Sequence, residues 1–139
     1  MIKYLTLTSL LFLSCQEKKQ IIHNVDNDKK GLVLVSSGQS EPYDTVKINN
    51  IDFDLVVDET ADTLYLGTKD KNFTTSGFRI GTKFGQIPND LRQKITKEDG
   101  WGYYVTLDSK WNLGFCEGSS CTDNHPTDSS SVKWIFKRK

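Results

Sequence analysis

Histidine is nearly missing from this chain, which holds only His23 and His125. Proton-transfer chemistry near neutral pH therefore has few carriers. Gly-x-Ser-x-Gly, His-Glu-x-x-His, the Walker loop and the dinucleotide fingerprint are all absent, so the chain carries no local signature of the common hydrolases or nucleotide enzymes. Charge of one sign is lacking too: 18 Lys and Arg stand against 18 Asp and Glu. With no basic stripe, there is no electrostatic case for a nucleic-acid partner. Beyond Leu13 no long apolar run occurs, and no heptad or repeat is seen.

The one apolar run lies at the start. Met1, Ile2 and Lys3 form a short cationic head, and Tyr4 to Leu13 follow, interrupted by Thr6, Thr8 and Ser9. A core of about ten residues suits a secretory signal and is too short to cross a bilayer of ~30 Å. Polar residues begin abruptly after Cys15, at Gln16, Glu17, Lys18 and Lys19. Phe12-Leu13-Ser14-Cys15 resembles the lipobox of bacterial lipoproteins, in which a small residue precedes the cysteine that is lipidated and becomes the mature N-terminus. The resemblance implies cleavage after Ser14, acylation at Cys15, export, and a protein tethered to a membrane surface through lipid. No Asp follows Cys15, the residue linked in that family to inner-membrane retention, so the outer membrane is the expected address.

Three segments result: a signal peptide over 1–14, a flexible tether over 15–30 and one β-rich domain over 31–139. The tether is polar, free of aromatics, and gives His23 no role. Loss of Lys3 with the leader leaves the mature chain one negative charge from neutral.

Within the domain, apolar residues alternate with polar ones. Asn49-Asn50 separates two alternating runs, and Asn accepts the positive φ of a type I′ turn. A hairpin pairing Ile48 with Ile51 sets Val46 against Phe53. The next turn is expected at Asp58 to Ala61, with Leu55 opposite Leu64. Asp52 and Asp54 then fall on the opposite, wet side of the sheet. Phe84, Ile87, Leu91 and Ile95 have helical spacing, which predicts one short helix over about 83–95, firmest after Pro88. A second hairpin pairs Leu107 with Trp111, Val105 with Leu113 and Tyr103 with Phe115. It puts Trp101, Tyr103 and Trp111 on the core face and leaves Tyr104 exposed opposite. The last strand, Val132 to Phe136, sets Val132, Trp134 and Phe136 on one face. The expected class is α+β, mainly antiparallel: one curled sheet of hairpins packed on a single short helix.

With Cys15 given to lipid, Cys116 and Cys121 are left as a pair in an oxidising compartment, and a disulfide is expected. The rival is a metal site of Cys116, Cys121 and His125 completed by Glu117 or Asp123, but the spacing is marginal for zinc. No cofactor or metal is expected. Asn72 to Gly81, with its Thr-x-x-Gly-x-x-Ile-Gly pattern, followed by a short helix and the aromatic strand Gly100 to Leu107, resembles a segment of small uncharacterised bacterial lipoproteins. That likeness implies fold and compartment, not mechanism.

The function expected is therefore a non-enzymatic binding or envelope-interaction module, in a specific version an inhibitor or immunity protein. Its partner would be an envelope protein or glycan, met through Tyr104, Glu117, Asp123 and His125. The alternative is an envelope hydrolase built on His125 and nearby carboxylates. Convergence of polar groups at His125 discriminates the two.

Overall fold

A computed structural model describes Ile22, His23 and residues 31–139. The expected signal peptide, Cys15 and most of the expected tether lie outside the described residues. Strands β1 (Ile22–His23), β4 (Asp44–Ile48), β5 (Ile51–Val57), β6 (Thr63–Thr68), β9 (Thr96–Glu98), β10 (Gly102–Thr106), β11 (Asn112–Phe115) and β12 (Trp134–Arg138) build one sheet. Its order is β1-β4-β5-β6-β12-β11-β10-β9, and its pairings are antiparallel. Two small hairpins, β2 (Leu32–Ser36) with β3 (Gln39–Pro42) and β7 (Thr74–Thr75) with β8 (Phe78–Arg79), stand apart from it. The molecule is thus mainly antiparallel β with one small helix, the expected class.

Both long hairpins take the register that apolar alternation predicts. Val46 faces Phe53 and Ile48 faces Ile51, with Asn49 and Asn50 at φ +50° and +64° in the turn. Tyr103 faces Phe115 and Val105 faces Leu113, and Leu107 N–H donates to the Trp111 carbonyl at 2.8 Å.

The sheet differs from expectation in being buried on both faces. On one face Phe84, Ile87, Tyr103, Val105, Leu107, Leu113, Phe115, Val132 and Ile135 form a core. On the other, Val33, Val35, Val56, Tyr65, Trp134 and Phe136 form a second, joined by β2. Alternation along β12 feeds both, since Ile135 enters the first while Trp134 and Phe136 enter the second. Val132 therefore does not share their face. It precedes the strand and bonds instead to the Gly81–Thr82 segment, its N–H donating to the Thr82 carbonyl.

The turn after β5 is also longer than expected. Leu55 faces Leu66, Val56 faces Tyr65 and Val57 faces Thr63, with a bulge at Val56/Val57. A bulge adds one unpaired residue and changes which side the chain presents. Leu64 consequently packs with the second core. Val56 is buried and Val57 exposed, the reverse of simple alternation. Asp58 organises the loop, its Oδ1 accepting the Thr60 N–H, the Thr60 hydroxyl and the Asp62 N–H.

The helix is shorter than 83–95. A 3-10 turn spans Phe84–Gln86 and α1 spans only Asn89–Arg92. Pro88 has no N–H to continue the first turn into the second, and Thr96–Glu98 leaves for the sheet edge as β9. Ile87, Leu91 and Ile95 still pack on the first core, so the apolar stripe is real although the helix is not continuous.

Candidate functional site

Trp101 marks the largest departure in side-chain placement, and it leads to the site. Gly102 has φ +145°, a conformation that disfavours a side chain, and a Cβ there would meet the Trp134 ring at 2.8 Å. This twist at the start of β10 sends Trp101 to the second core while Tyr103 enters the first. Trp101 then stands edge-on to Tyr65, Trp134 and Phe136, with centroids 6.1, 5.6 and 5.8 Å away.

Between this aromatic group and β2 lies a cavity of about 250 Å³. Gly31 and Val33 form one side, Tyr43, Tyr65, Trp101 and Trp134 the aromatic wall, and Asp54, Thr68, Lys69 and Cys121 the remainder. Gly31 is required by close approach: a Cβ there would meet the Tyr43 ring at 2.6 Å. A shallower hollow beside it is lined by Tyr43, Asp52, Asp54, Thr68, Lys69 and Asp70.

The electrostatics centre on Asp54. Partial burial raises its carboxyl above the usual carboxylate range, and the Lys69 ammonium opposes that rise. The negative charge of Asp54, and then burial, raise the Tyr43 phenol. Burial raises Tyr65 strongly, with Asp54 adding to it. The indole Nε1 atoms of Trp101 and Trp134 are buried and have no hydrogen-bond partner. The reading of Asp52 and Asp54 as one wet face thus holds for exposed Asp52, which pairs with Lys47 at 2.6 Å, and fails for Asp54. The β2–β3 hairpin covers that side of the sheet, and nothing in the local alternation announces a cover contributed from elsewhere in the chain.

The residues singled out from sequence do not converge. Tyr104 is half-buried rather than exposed; its ring meets Phe136 at 5.5 Å and its hydroxyl accepts from Arg138 Nη2 at 3.1 Å. His125 stands over the first core, against Tyr103 and Phe84 at 5.3 and 6.0 Å, with Nδ1 2.8 Å from the Pro126 carbonyl. Among the described residues no ion pair joins His125 to a carboxylate. Asp123 is occupied within its own loop, accepting N–H groups of Ser119 and Ser120 at 2.8 and 3.3 Å. Hydrogen bonds from the Ser120 side chain and backbone lead in holding its carboxyl below the usual range. Glu117 uses its backbone to bridge Thr122.

Cys116 and Cys121 form the expected disulfide, so neither offers a thiolate to a metal. Among the described residues no group of three or more His, Cys, Asp or Glu is placed to hold a metal ion. Because Cys121 also lines the cavity, the bridge ties the Gly118–Ser120 loop to the site. Replacing both cysteines by serine is expected to lower stability by about 2 kcal/mol, the chain-entropy value for so small a ring. Urea unfolding of the variant against the oxidised protein checks this, and an unchanged midpoint refutes it. Comparison with protein-family models, curated proteins and solved structures finds no match.

Proposed function

We propose that the chain is an exported binding module of the cell envelope, lipid-tethered at Cys15 and acting without catalysis. The cavity carries this reading. It brings an aromatic wall and one half-buried carboxylate to one place, which is the composition of a recognition site. A hydrolase reading needs His125 beside a carboxylate, and His125 lies over the opposite core with the Pro126 carbonyl as its partner. An inhibitor or immunity protein facing an envelope protein or glycan is the specific form of the proposal, with the outer membrane as its address.

Two measurements test it. Changing Cys15 to Ser in the full-length chain is expected to abolish labelling by a fatty-acid analogue and to release the protein from membranes. Retention with undiminished labelling overturns the tether. For binding, the Cys15→Ser protein is used to capture envelope components with and without Asp54→Asn. A partner retained equally by both proteins moves the binding surface away from the cavity and overturns this reading.

A further inference from the structure

We infer that the cavity under β2 takes a small organic ammonium. This deepens the binding reading above and rests on it.

The charge argument comes first. Asp54 is the one carboxylate lining the cavity, and it is half-buried between β4 and β6. Withdrawing a carboxylate even partly from water is costly unless a cation or hydrogen-bond donors compensate it. None of the ion pairs among the described residues includes Asp54. The nearest compensation is electrostatic, from Lys69. Lys69 is exposed and its ammonium rides a flexible four-carbon stem, so it is a displaceable occupant of the cavity mouth rather than a fixed partner.

The wall gives the same answer independently. Tyr43, Tyr65, Trp101 and Trp134 surround the space. Aromatic faces carry negative charge density and attract a cation, Trp most strongly and quaternary or alkyl ammonium groups characteristically. A neutral guest would use the apolar area of these rings but leave Asp54 uncompensated.

The volume of about 250 Å³ lies just under the ~300 to 1,000 Å³ of drug-sized sites, so the guest is a single small molecule and not a peptide segment.

Titration calorimetry and tryptophan fluorescence on the disulfide-intact Cys15→Ser chain test the inference with four probes. Choline, glucosamine and tetramethylammonium each carry a cationic nitrogen; glucose lacks the charge. The three cations are expected to bind, and glucose to bind more weakly than glucosamine by roughly tenfold or more. Asp54→Asn is expected to cost glucosamine affinity about tenfold, and Lys69→Met, a change at an exposed site that the fold tolerates, to tighten it. Glucose binding as well as glucosamine, or Lys69→Met weakening the ammonium probes, overturns the inference. So does failure of all four probes to bind at about millimolar concentration. If Asp54-dependent capture of an envelope partner survives that failure, the binding module stands and only the ammonium class falls.

Discussion

Replacing Glu98 by alanine is expected to lower the free energy of unfolding by about 3–5 kcal/mol, the loss found when one member of a buried ion pair is removed. Glu98 lies on β9, the outermost strand, and its carboxylate meets Arg138 Nη2 of β12, three places inward in the sheet. The pair is largely, though not fully, withdrawn from solvent, with side-chain exposures of 15 % for Arg138 and 10 % for Glu98. Arg138 is further committed: Nη2 donates to the Tyr104 hydroxyl, and the guanidinium lies over the Tyr104 and Phe136 rings at 5.4 and 5.8 Å. Arginine stays charged at any pH of interest, so removing Glu98 leaves a buried cation without a counter-charge. Arg138 Nη1 and Glu98 Oε1 already lack partners, so no spare hydrogen bond takes up the loss. Against the ~5–15 kcal/mol that holds a domain of this size together, the variant is close to unfolding. Glu98→Gln keeps an acceptor and should lose less, and pairing Glu98→Leu with Arg138→Met should recover most of the deficit. Equilibrium urea unfolding measures all three. A cost below about 1 kcal/mol for Glu98→Ala would give the pair the standing of a surface salt bridge.

Phe136→Ala is expected to cost about 3–5 kcal/mol as well, by a different mechanism. The ring is 0 % exposed and is the hub of the second core. Tyr65 stacks on it at 5.8 Å, while Trp101 and Tyr104 meet it edge-on at 5.8 and 5.5 Å. Truncation opens a void that rigid rings collapse into poorly. Phe136→Leu conserves most of the volume and should cost markedly less. Because Tyr65 and Trp101 also wall the cavity, loss of ligand affinity should accompany the loss of stability. Near-UV circular dichroism with urea unfolding separates a loosened aromatic cluster from a globally unfolded chain. A fully retained aromatic signal with an unchanged midpoint would refute the hub role.

What was legible in the sequence follows the range over which each signal acts. Asn49-Asn50 and the aromatic run from Tyr103 to Phe115 gave both hairpins their correct register, since turn chemistry and alternation act between near neighbours. The bulge at Val56/Val57 was not readable, because it is selected by burial against β2 and not by a local turn motif. Helical spacing from Phe84 to Ile95 identified the buried residues correctly but overstated the helix, which Pro88 divides and β9 truncates. The disulfide agrees with the pairing expected from cysteine parity. The cavity was missed for a related reason: its walls come from Gly31, Tyr43, Asp54, Tyr65, Trp101 and Trp134, scattered through the chain. Asp54 taken alone looks like any polar residue on the wet side of a strand. The unusual backbone at Gly102 and the cover supplied by β2 bring tryptophan to the same cavity.

The position of β12 sets a rule for the order of assembly. It comes last among the described strands yet lies in the middle of the sheet, joining β6 on one side to β11 on the other. Until Arg138 has been synthesised, the hairpin of β5 and β6 and that of β10 and β11 share no ladder, and each shows a bare edge. Closure of β6 on β12 spans more than sixty residues of chain between Thr68 and Ile135, and such non-local pairing slows folding. A chain of this topology cannot close its sheet until its last described strand has been made.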